Sequence, residues 1–438
     1  MSVEAVTLLM FLTMLLLLAS GLPVVFVLGG SALVFGYTVW GPASLNVVVA
    51  AASDLLRANL LVAVPLFVFM AYMLEKSGIA EDLYGAMHRW MGGLRGGLAA
   101  GTVLACTLVA AMSGISTTGV LMMGIIGLPA MLRRGYDRRL AMGSIMAGGA
   151  LGPLIPPSIV MIIYSLLSGQ SIGKLFVGGI LPGLLLSGLF IAYILIRCFL
   201  RPDLGPPLPP QERAGWREKA AALKGVLLPG LIVLGVLGSL FVGIATPTEA
   251  ASVGALGAIL SAAVYRRLSP AVLKAVAFQS LKTVSMVMWV IFGAGCFATI
   301  YQGIGASEFI QNLIKGWPVG TWVVLLLIQA TWIFLGCLMD AISILMVTAP
   351  VFIPVAQFLG VDLLWFGVLY AVNTEMGYLT PPFGVNLFVM RGITQELGIS
   401  TKEIYLAAAP FIGIQFLGLV LVMVFPGIIT WLPGLLLK

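Results

Sequence analysis

Charge is what this chain has least of. Asp, Glu, Lys and Arg make up 9% of its 438 residues, against about a quarter in a soluble globular domain. That scarcity excludes a water-soluble fold of this length and leaves no stretch for a separate soluble domain. Histidine is almost missing too. With His88 alone, no HExxH zinc-protease helix can be written. The four cysteines, Cys106, Cys198, Cys296 and Cys337, stand singly in or beside apolar runs. Without a CxxC pair they suggest neither a disulfide framework nor a zinc site, and they read as small core residues. No Walker A sequence occurs, because Gly173-Lys174 is followed by leucine and lacks the upstream glycine. The chain therefore does not use ATP directly. Gly169-Gln170-Ser171-Ile172-Gly173 matches a nucleophile elbow in letters only, with no strand before it and no histidine partner. An enzyme has nothing here to work with.

What the chain has in abundance is apolar sequence. Hydrophobic residues make up 61% of it, and runs such as Leu8–Ala19, Val226–Val242 and Phe411–Phe425 recur along its length. A span takes about 20 apolar residues, which predicts an all-α polytopic membrane protein of roughly ten spans in a lipid bilayer. The apolar N-terminus lacks a basic leader and a clear cleavage site, so it reads as a first span and not as a removed signal peptide. The net charge of +7 fits the excess of Lys and Arg in cytoplasmic loops, and no nucleic-acid partner is implied.

Two stretches 225 positions apart carry the same punctuation. Pro129, Gly135, Asp137, Gly152, Pro156 and Pro157 recur as Pro354, Gly360, Asp362, Gly377, Pro381 and Pro382. This predicts a first repeat core over 76–200, with a hairpin tip at 113–118, a broken helix at 140–168 and a span at 176–196. The second core, 283–438, has a tip at 337–343, a broken helix at 365–390 and a last scaffold span at 404–425. Interfacial helices are expected at 79–91 and 304–315, and scaffold spans within 1–75 and 226–282. Residues 201–225, rich in proline and charge, read as a cytoplasmic linker. Thr246-Pro247-Thr248-Glu249 has the spacing of a capping box, which makes Glu249 a helix cap. The loop 133–139 holds four arginines, whereas its counterpart 358–364 holds no basic residue. Basic residues stay on the cytoplasmic side, so the two copies have opposite orientations and form an inverted repeat.

Re-entrant backbone at membrane depth survives only when buried in protein or lining a cavity. The first tip offers Ser113, Gly114, Ser116 and Thr117 as hydroxyls, carbonyls and the start of the next half-helix. Carbonyls at a broken helix end suit Na⁺, and a half-helix N-terminus attracts an anion. The breaks Gly152–Ser158 and Gly377–Phe383 each leave carbonyls without helical partners. Ser158, Thr380 and Asn386 are candidates to face a substrate. Asp340 at the second tip and Glu375 before the second break are intramembrane acids, which are usually functional. Asp340 is also placed to cap the helix that follows.

At these residues the sequence resembles the large membrane subunit of the TRAP (tripartite ATP-independent periplasmic) transporters. The matching phrases are Val64-Pro65-Leu66-Phe67-Val68-Phe69, Ser113–Thr117, Gly152–Ser158 with Tyr164, Gly243–Ala250 and Asn373–Val389. The resemblance implies an elevator-type fold of the ion-transporter superfamily in a bacterial or archaeal cytoplasmic (inner) membrane. It implies a Na⁺-driven importer of small carboxylates or sulfonates. The partners implied are a separate small four-helix membrane subunit and a periplasmic substrate-binding protein. Carried over, one Na⁺ site would use Ser113, Ser116, Gly152, Ile155 and Pro157. The other would use Gly336, Asp340, Gly377, Thr380 and Pro382. Substrate would lie between the tips, near Gly114, Thr117, Ser158, Glu375 and Asn386. Neither tip nor break carries a basic residue, so anion attraction would rest on helix N-termini, hydroxyls and bound Na⁺. A channel or ion antiporter on the same inverted repeats is the alternative.

Overall fold

The computed structural model describes residues 2–316, 319–382 and 384–437. Phe383 of the second break, and the end residues Met1 and Lys438, lie outside them. The described chain is all-α. Its helices are α1 (Val3–Ala19), α2 (Val24–Trp40), α3 (Ala43–Leu56), α4 (Asn59–Lys76), α5 (Ile79–Met91), α6 (Gly97–Ser113) and α7 (Ser116–Arg133). Next come α8 (Arg138–Ala150), α9 (Ile159–Ser168), α10 (Ile172–Leu200), α11 (Trp216–Ala222), α12 (Lys224–Phe241), α13 (Pro247–Val264) and α14 (Pro270–Gly303). The chain closes with α15 (Ala306–Gly316), α16 (Thr321–Gly336), α17 (Ala341–Phe358), α18 (Leu363–Leu379), α19 (Val385–Thr394), α20 (Thr401–Val424) and α21 (Gly427–Leu436). Among the described residues eight helices are long and apolar enough to cross a membrane: α4, α7, α10, α12, α13, α14, α17 and α20. This is a multi-pass membrane protein.

The offset of 225 reappears in the helix boundaries. Shifted by it, α7 falls on α17 at both ends, and α8 and α18 start at the same place. The echoed residues do the same work twice. Asp137 caps α8 by accepting the Leu140 N–H at 2.9 Å, and Asp362 caps α18 by accepting the Leu364 N–H at 2.7 Å. Gly135 and Gly360, at φ +75° and +68°, turn the chain into those caps. Pro156-Pro157 and Pro381-Pro382 are both cis and stand in the gaps α8–α9 and α18–α19. A proline has no N–H to give and clashes with the preceding turn, so neither gap can be bridged by continuous helix.

The copies differ in their outer helices. In the first, Ala58 is extended between α3 and α4. Its counterpart Thr283 lies inside α14, a single helix of 34 residues. The expected span 283–301 is thus the second half of a longer rod. The corresponding helices run past each other in opposite directions: Leu55 packs on Gly295, while the Tyr72 hydroxyl meets the Thr283 hydroxyl at 2.8 Å. Helix α2 packs on α14, and α13 packs on α4. The capping box at Thr246 and Glu249 is formed, and the four cysteines are free thiols.

Two elements differ from the sequence expectation. Helix α20, read as a last scaffold span, packs on α8, α10, α18 and α19, so its neighbours are the repeat cores. Helix α10, expected as the span 176–196 of the first repeat core, packs mainly on α6, α20, α21 and α18. The segment 201–222 is a strap rather than a free linker. Gly205 accepts the Gly96 N–H at 2.8 Å, Leu204 accepts the Asp137 N–H at 3.0 Å, and Gly92 accepts the Leu208 N–H at 2.8 Å. Arg134 pairs with Glu212 at 2.7 Å, and Trp90 meets Trp216 edge to face at 5.9 Å. Its prolines leave few donors for a helix, so it binds through backbone groups of distant turns.

Candidate substrate and ion site

Each tip is made by a short interruption with a physical cause. Helix α6 ends at Gly114, φ +62°, whose N–H reaches the Ala110 carbonyl at 2.9 Å. Ile115 is extended and α7 begins at Ser116. At the second tip α16 stops at Gly336. Asp340 restarts the chain as α17, accepting the Ile342 and Ser343 N–H groups at 3.0 and 3.1 Å and the Ser343 hydroxyl at 2.5 Å. Asp340 therefore acts as the cap its position implied.

The tips and breaks touch through bare backbone. A Cβ on Gly114 would sit 2.2 Å from the Pro157 carbonyl oxygen, and one on Gly152 would sit 2.6 Å from the Ser116 nitrogen. In the second copy a Cβ on Gly336 would lie 2.9 Å from the Gly377 Cα. Only glycine permits these approaches. They bring Ser113 and Ser116 beside Gly152 and Pro157, and Gly336 beside Gly377. No described residue donates a hydrogen bond to the carbonyls of Gly152, Ile155 or Pro157. In the second copy Gly377 accepts the Thr380 N–H at 3.2 Å, Pro382 accepts the Tyr405 hydroxyl at 3.1 Å, and Thr380 donates to Met376 at 2.7 Å. Each of these carbonyls keeps a lone pair. Both sets consist mainly of neutral hard oxygens, the donor type that suits a small monovalent cation. Among the described residues no three His, Cys, Asp or Glu side chains gather to hold a metal ion.

Between the two tips lies a cavity of about 270 Å³. Gly114, Ser116 and Thr117 line it from the first tip, Asp340 and Ile342 from the second, and Pro153 and Tyr378 from the breaks. Four helices begin on its wall: α7 at Ser116, α9 at Ile159, α17 near Ile342 and α19 at Val385. Each helix N-terminus carries about half a positive charge. Asp340 is the one charged residue lining the cavity, and no Lys, Arg or His reaches it among the described residues. An apolar cleft of about 490 Å³ adjoins it past Asp340 toward Pro23 and Phe26. A wider cleft of about 630 Å³ adjoins it past Tyr72 and Thr117, with Glu75, Gln279 and Glu396 on its walls.

Three residues expected beside the substrate do not line this cavity. Ser158 is fully buried; it caps α9 and donates to the Pro153 carbonyl. Glu375 is fully buried between α18 and α20, where it accepts the Gln415 amide at 2.8 Å. Asn386 is buried too. It accepts the Ser116 hydroxyl at 2.8 Å and donates to the Met146 carbonyl at 3.1 Å, so it holds the first tip from the opposite repeat. Inside a bilayer an unpaired polar group is costly, and Ser158 and Asn386 satisfy backbone carbonyls beside the breaks, whereas Glu375 is paired with the Gln415 side chain. Sequence reading missed the facing wall, Tyr72, Thr283 and Met286. Tyr72 interrupts an apolar run and Thr283 follows Lys282, but only the pairing of α4 with α14 reveals their role.

Residues 11–428 match the family described as "Tripartite ATP-independent periplasmic transporter, DctM component". The chain belongs to this family. It is a family of transporters, not of enzymes, and the chain is one component of a tripartite system. The DctM-family chain is 32% identical to the C4-dicarboxylate TRAP transporter large permease protein DctM of Vibrio cholerae, over 98% of each chain. It is also 32% identical to the ectoine/5-hydroxyectoine TRAP transporter large permease protein UehC of Ruegeria pomeroyi, over 95% of each. Among solved structures the YdaH transporter of Alcanivorax borkumensis shares its fold, with a TM-score of 0.63 at 16% identity, covering 96% of this chain and 98% of that one.

Proposed function

We propose that this permease imports a small organic anion by Na⁺-coupled elevator transport in the inner membrane. A periplasmic binding protein would deliver the substrate, and a separate small membrane subunit would complete the complex. The observation that carries the reading is the cavity where four helix N-termini from both repeats converge without a basic side chain. A carboxylate or sulfonate is the ligand such a field attracts. Na⁺ would be held by tip and break oxygens, at Ser113, Ser116, Gly152, Ile155 and Pro157, and at Gly336, Asp340, Gly377, Thr380 and Pro382. It would supply positive charge that the side chains do not. Ordering a tip against its break then favours ion and substrate together.

Two bodies are inferred from the packing. Helices α6–α10 and α16–α21 form a moving core; α1–α4 and α12–α14 form the fixed wall, with α5 and α15 as connecting arms. This places α10 and α20 in the moving body. The opposite directions of α4 and α14 support the inverted repeat. They also support a definite position of the core. The repeat relation maps Tyr72 to Phe297 and Thr283 to Ala58, so the wall is symmetric about position 65 of α4. The cavity instead faces Tyr72 and Thr283. Seven residues of helix at about 1.5 Å each put it roughly 10 Å from the centre, toward the end that leads into Lys76, Arg89 and Arg95 and so faces the cytoplasm. The structure is then inward-facing, with the cleft past Tyr72 as the exit.

The test is uptake by proteoliposomes holding the permease, its membrane subunit and the loaded binding protein. The expected result is saturable uptake that needs both the binding protein and an inward Na⁺ gradient. Full-rate uptake with Na⁺ absent from both sides would sink the coupling. Non-saturable flux without the binding protein would point instead to a channel.

A further inference from the structure

The exit cleft carries acids on opposite walls, Glu75 on α4 and Glu396 after α19, and no basic side chain lines it among the described residues. Beside it, under Glu75, is a small space of about 10 Å³ lined by Glu75, Ser113, Thr118 and apolar side chains. That is room for a single water-sized occupant. The Glu75 side chain is 10% exposed and lines this space together with Thr118. Ser113 and Thr118 are buried, and the hydroxyl of Ser113 makes only long contacts of 3.4 Å to Ile115. Lys76 is the nearest cation, at a loose 3.6 Å on the solvent side. A mostly buried carboxylate with two hydroxyl oxygens around a small void is a hard-oxygen cage.

We propose that Glu75, Thr118 and Ser113 form a further monovalent-cation site, which takes Na⁺ from the cytoplasmic cleft and bridges the fixed wall to the moving core. This rests on the two-body reading above. Glu75 belongs to α4, while Ser113 and Thr118 belong to the first hairpin. The site therefore exists only where the hairpin stands beside the cytoplasmic end of α4. If the core rose by several helical residues, Thr118 would leave Glu75 and the cage would open. Sodium held there ties the two bodies together.

The experiment is equilibrium binding of radiolabelled sodium, with no organic ligand, to the permease with its membrane subunit in lipid nanodiscs. Glu75→Gln is expected to bind one fewer Na⁺ per chain, or to bind one of them about tenfold more weakly, as loss of one charge-assisted contact implies. Glu75→Asp should keep the ion. Thr118→Val removes the core-side oxygen and should give the same loss, which keeps the test open if Glu75→Gln does not assemble. Saturable binding that is identical in wild type and both neutral variants would overturn this site alone. No saturable Na⁺ binding in the wild type would overturn the Na⁺-coupled reading as well.

Discussion

Gly377→Ala tests whether the bare contact between the second tip and its break is part of the ion site. The new Cβ would stand 2.6 Å from the Gly336 Cα, 2.9 Å from its carbonyl carbon and 3.0 Å from its oxygen. All three are backbone atoms, so no side chain can swing away. Carbon atoms settle about 3.5–4.0 Å apart, so the two backbones must separate by roughly 0.9 Å. Forcing a packed interior in this way costs about 1–3 kcal/mol. Metal ligands tolerate only about 0.2 Å, so the carbonyls of Gly336 and Gly377 could not both keep an ion. If the cost falls on the ion-bound arrangement, half-saturating Na⁺ rises roughly fivefold to 150-fold, since 1.4 kcal/mol is a factor of ten. Gly152→Ala should do the same for the first set, because its Cβ would sit 2.6 Å from the Ser116 nitrogen. Gly413→Ala in α20 is the control, with nothing within 4 Å of its Cβ. The assay is Na⁺-dependent stabilisation against heat, read beside Na⁺-driven uptake. Wild-type Na⁺ dependence in both Gly377→Ala and Gly152→Ala would refute the idea that these approaches build ion sites.

Three further outcomes are expected. In a double-mutant cycle Ser116→Ala and Asn386→Ala should show a coupling of about 0.5–1.5 kcal/mol in melting, the size of one buried hydrogen bond; strictly additive losses would mean that the two repeats are not joined there. Asp340→Ala should cost about 1 kcal/mol through the lost cap, whereas Asp340→Asn should recover melting but not Na⁺-dependent uptake; recovery of both would remove the charge from the mechanism. Burial first, and then the Arg134 charge, hold the His88 imidazole below its ordinary value. The unfolded chain then binds that proton at higher pH than the folded chain, so stability is full above the ordinary imidazole range and falls as the pH drops through it. His88→Gln should flatten that slope in melting curves, and an unchanged slope would assign it to other groups.

Much of this architecture was legible because the echoed residues have jobs that need those residue types. Asp137 and Asp362 cap helices, Gly135 and Gly360 turn into the caps, and the Pro-Pro pairs keep continuous helix from bridging the gaps after α8 and α18. Such roles are local, so spacing reveals them. Ser158 and Asn386 were misplaced because a polar residue near a break can serve the ligand or the backbone, and the letter is the same for either. Glu375 depended on Gln415, forty positions on, for its meaning. The strap at 201–222 has no periodicity to read, and its partners at Gly92, Gly96 and Asp137 lie far away in sequence. Helix α21 was not anticipated at all. It is only ten residues long and follows Pro426, so its apolar sequence looked like the tail of the preceding span. Re-entrant α7 and α17 pass as full spans by composition; only their starts at the cavity distinguish them.

The pairing of Tyr72 with Thr283 has a consequence at the far end of the stroke. Under the repeat relation their counterparts are Phe297 and Ala58, and the counterpart of Met286 is Leu61. The wall that offers hydroxyls near the cytoplasm would offer a benzyl ring, a methyl group and an isobutyl group on the outside. Under the proposed elevator mechanism a polar solute would be gripped by the core alone when it is loaded, and by core and wall together when it arrives. If transport follows the proposed elevator stroke, these two residues would tilt it inward before any ion gradient is applied, and exchanging them for their counterparts would level it.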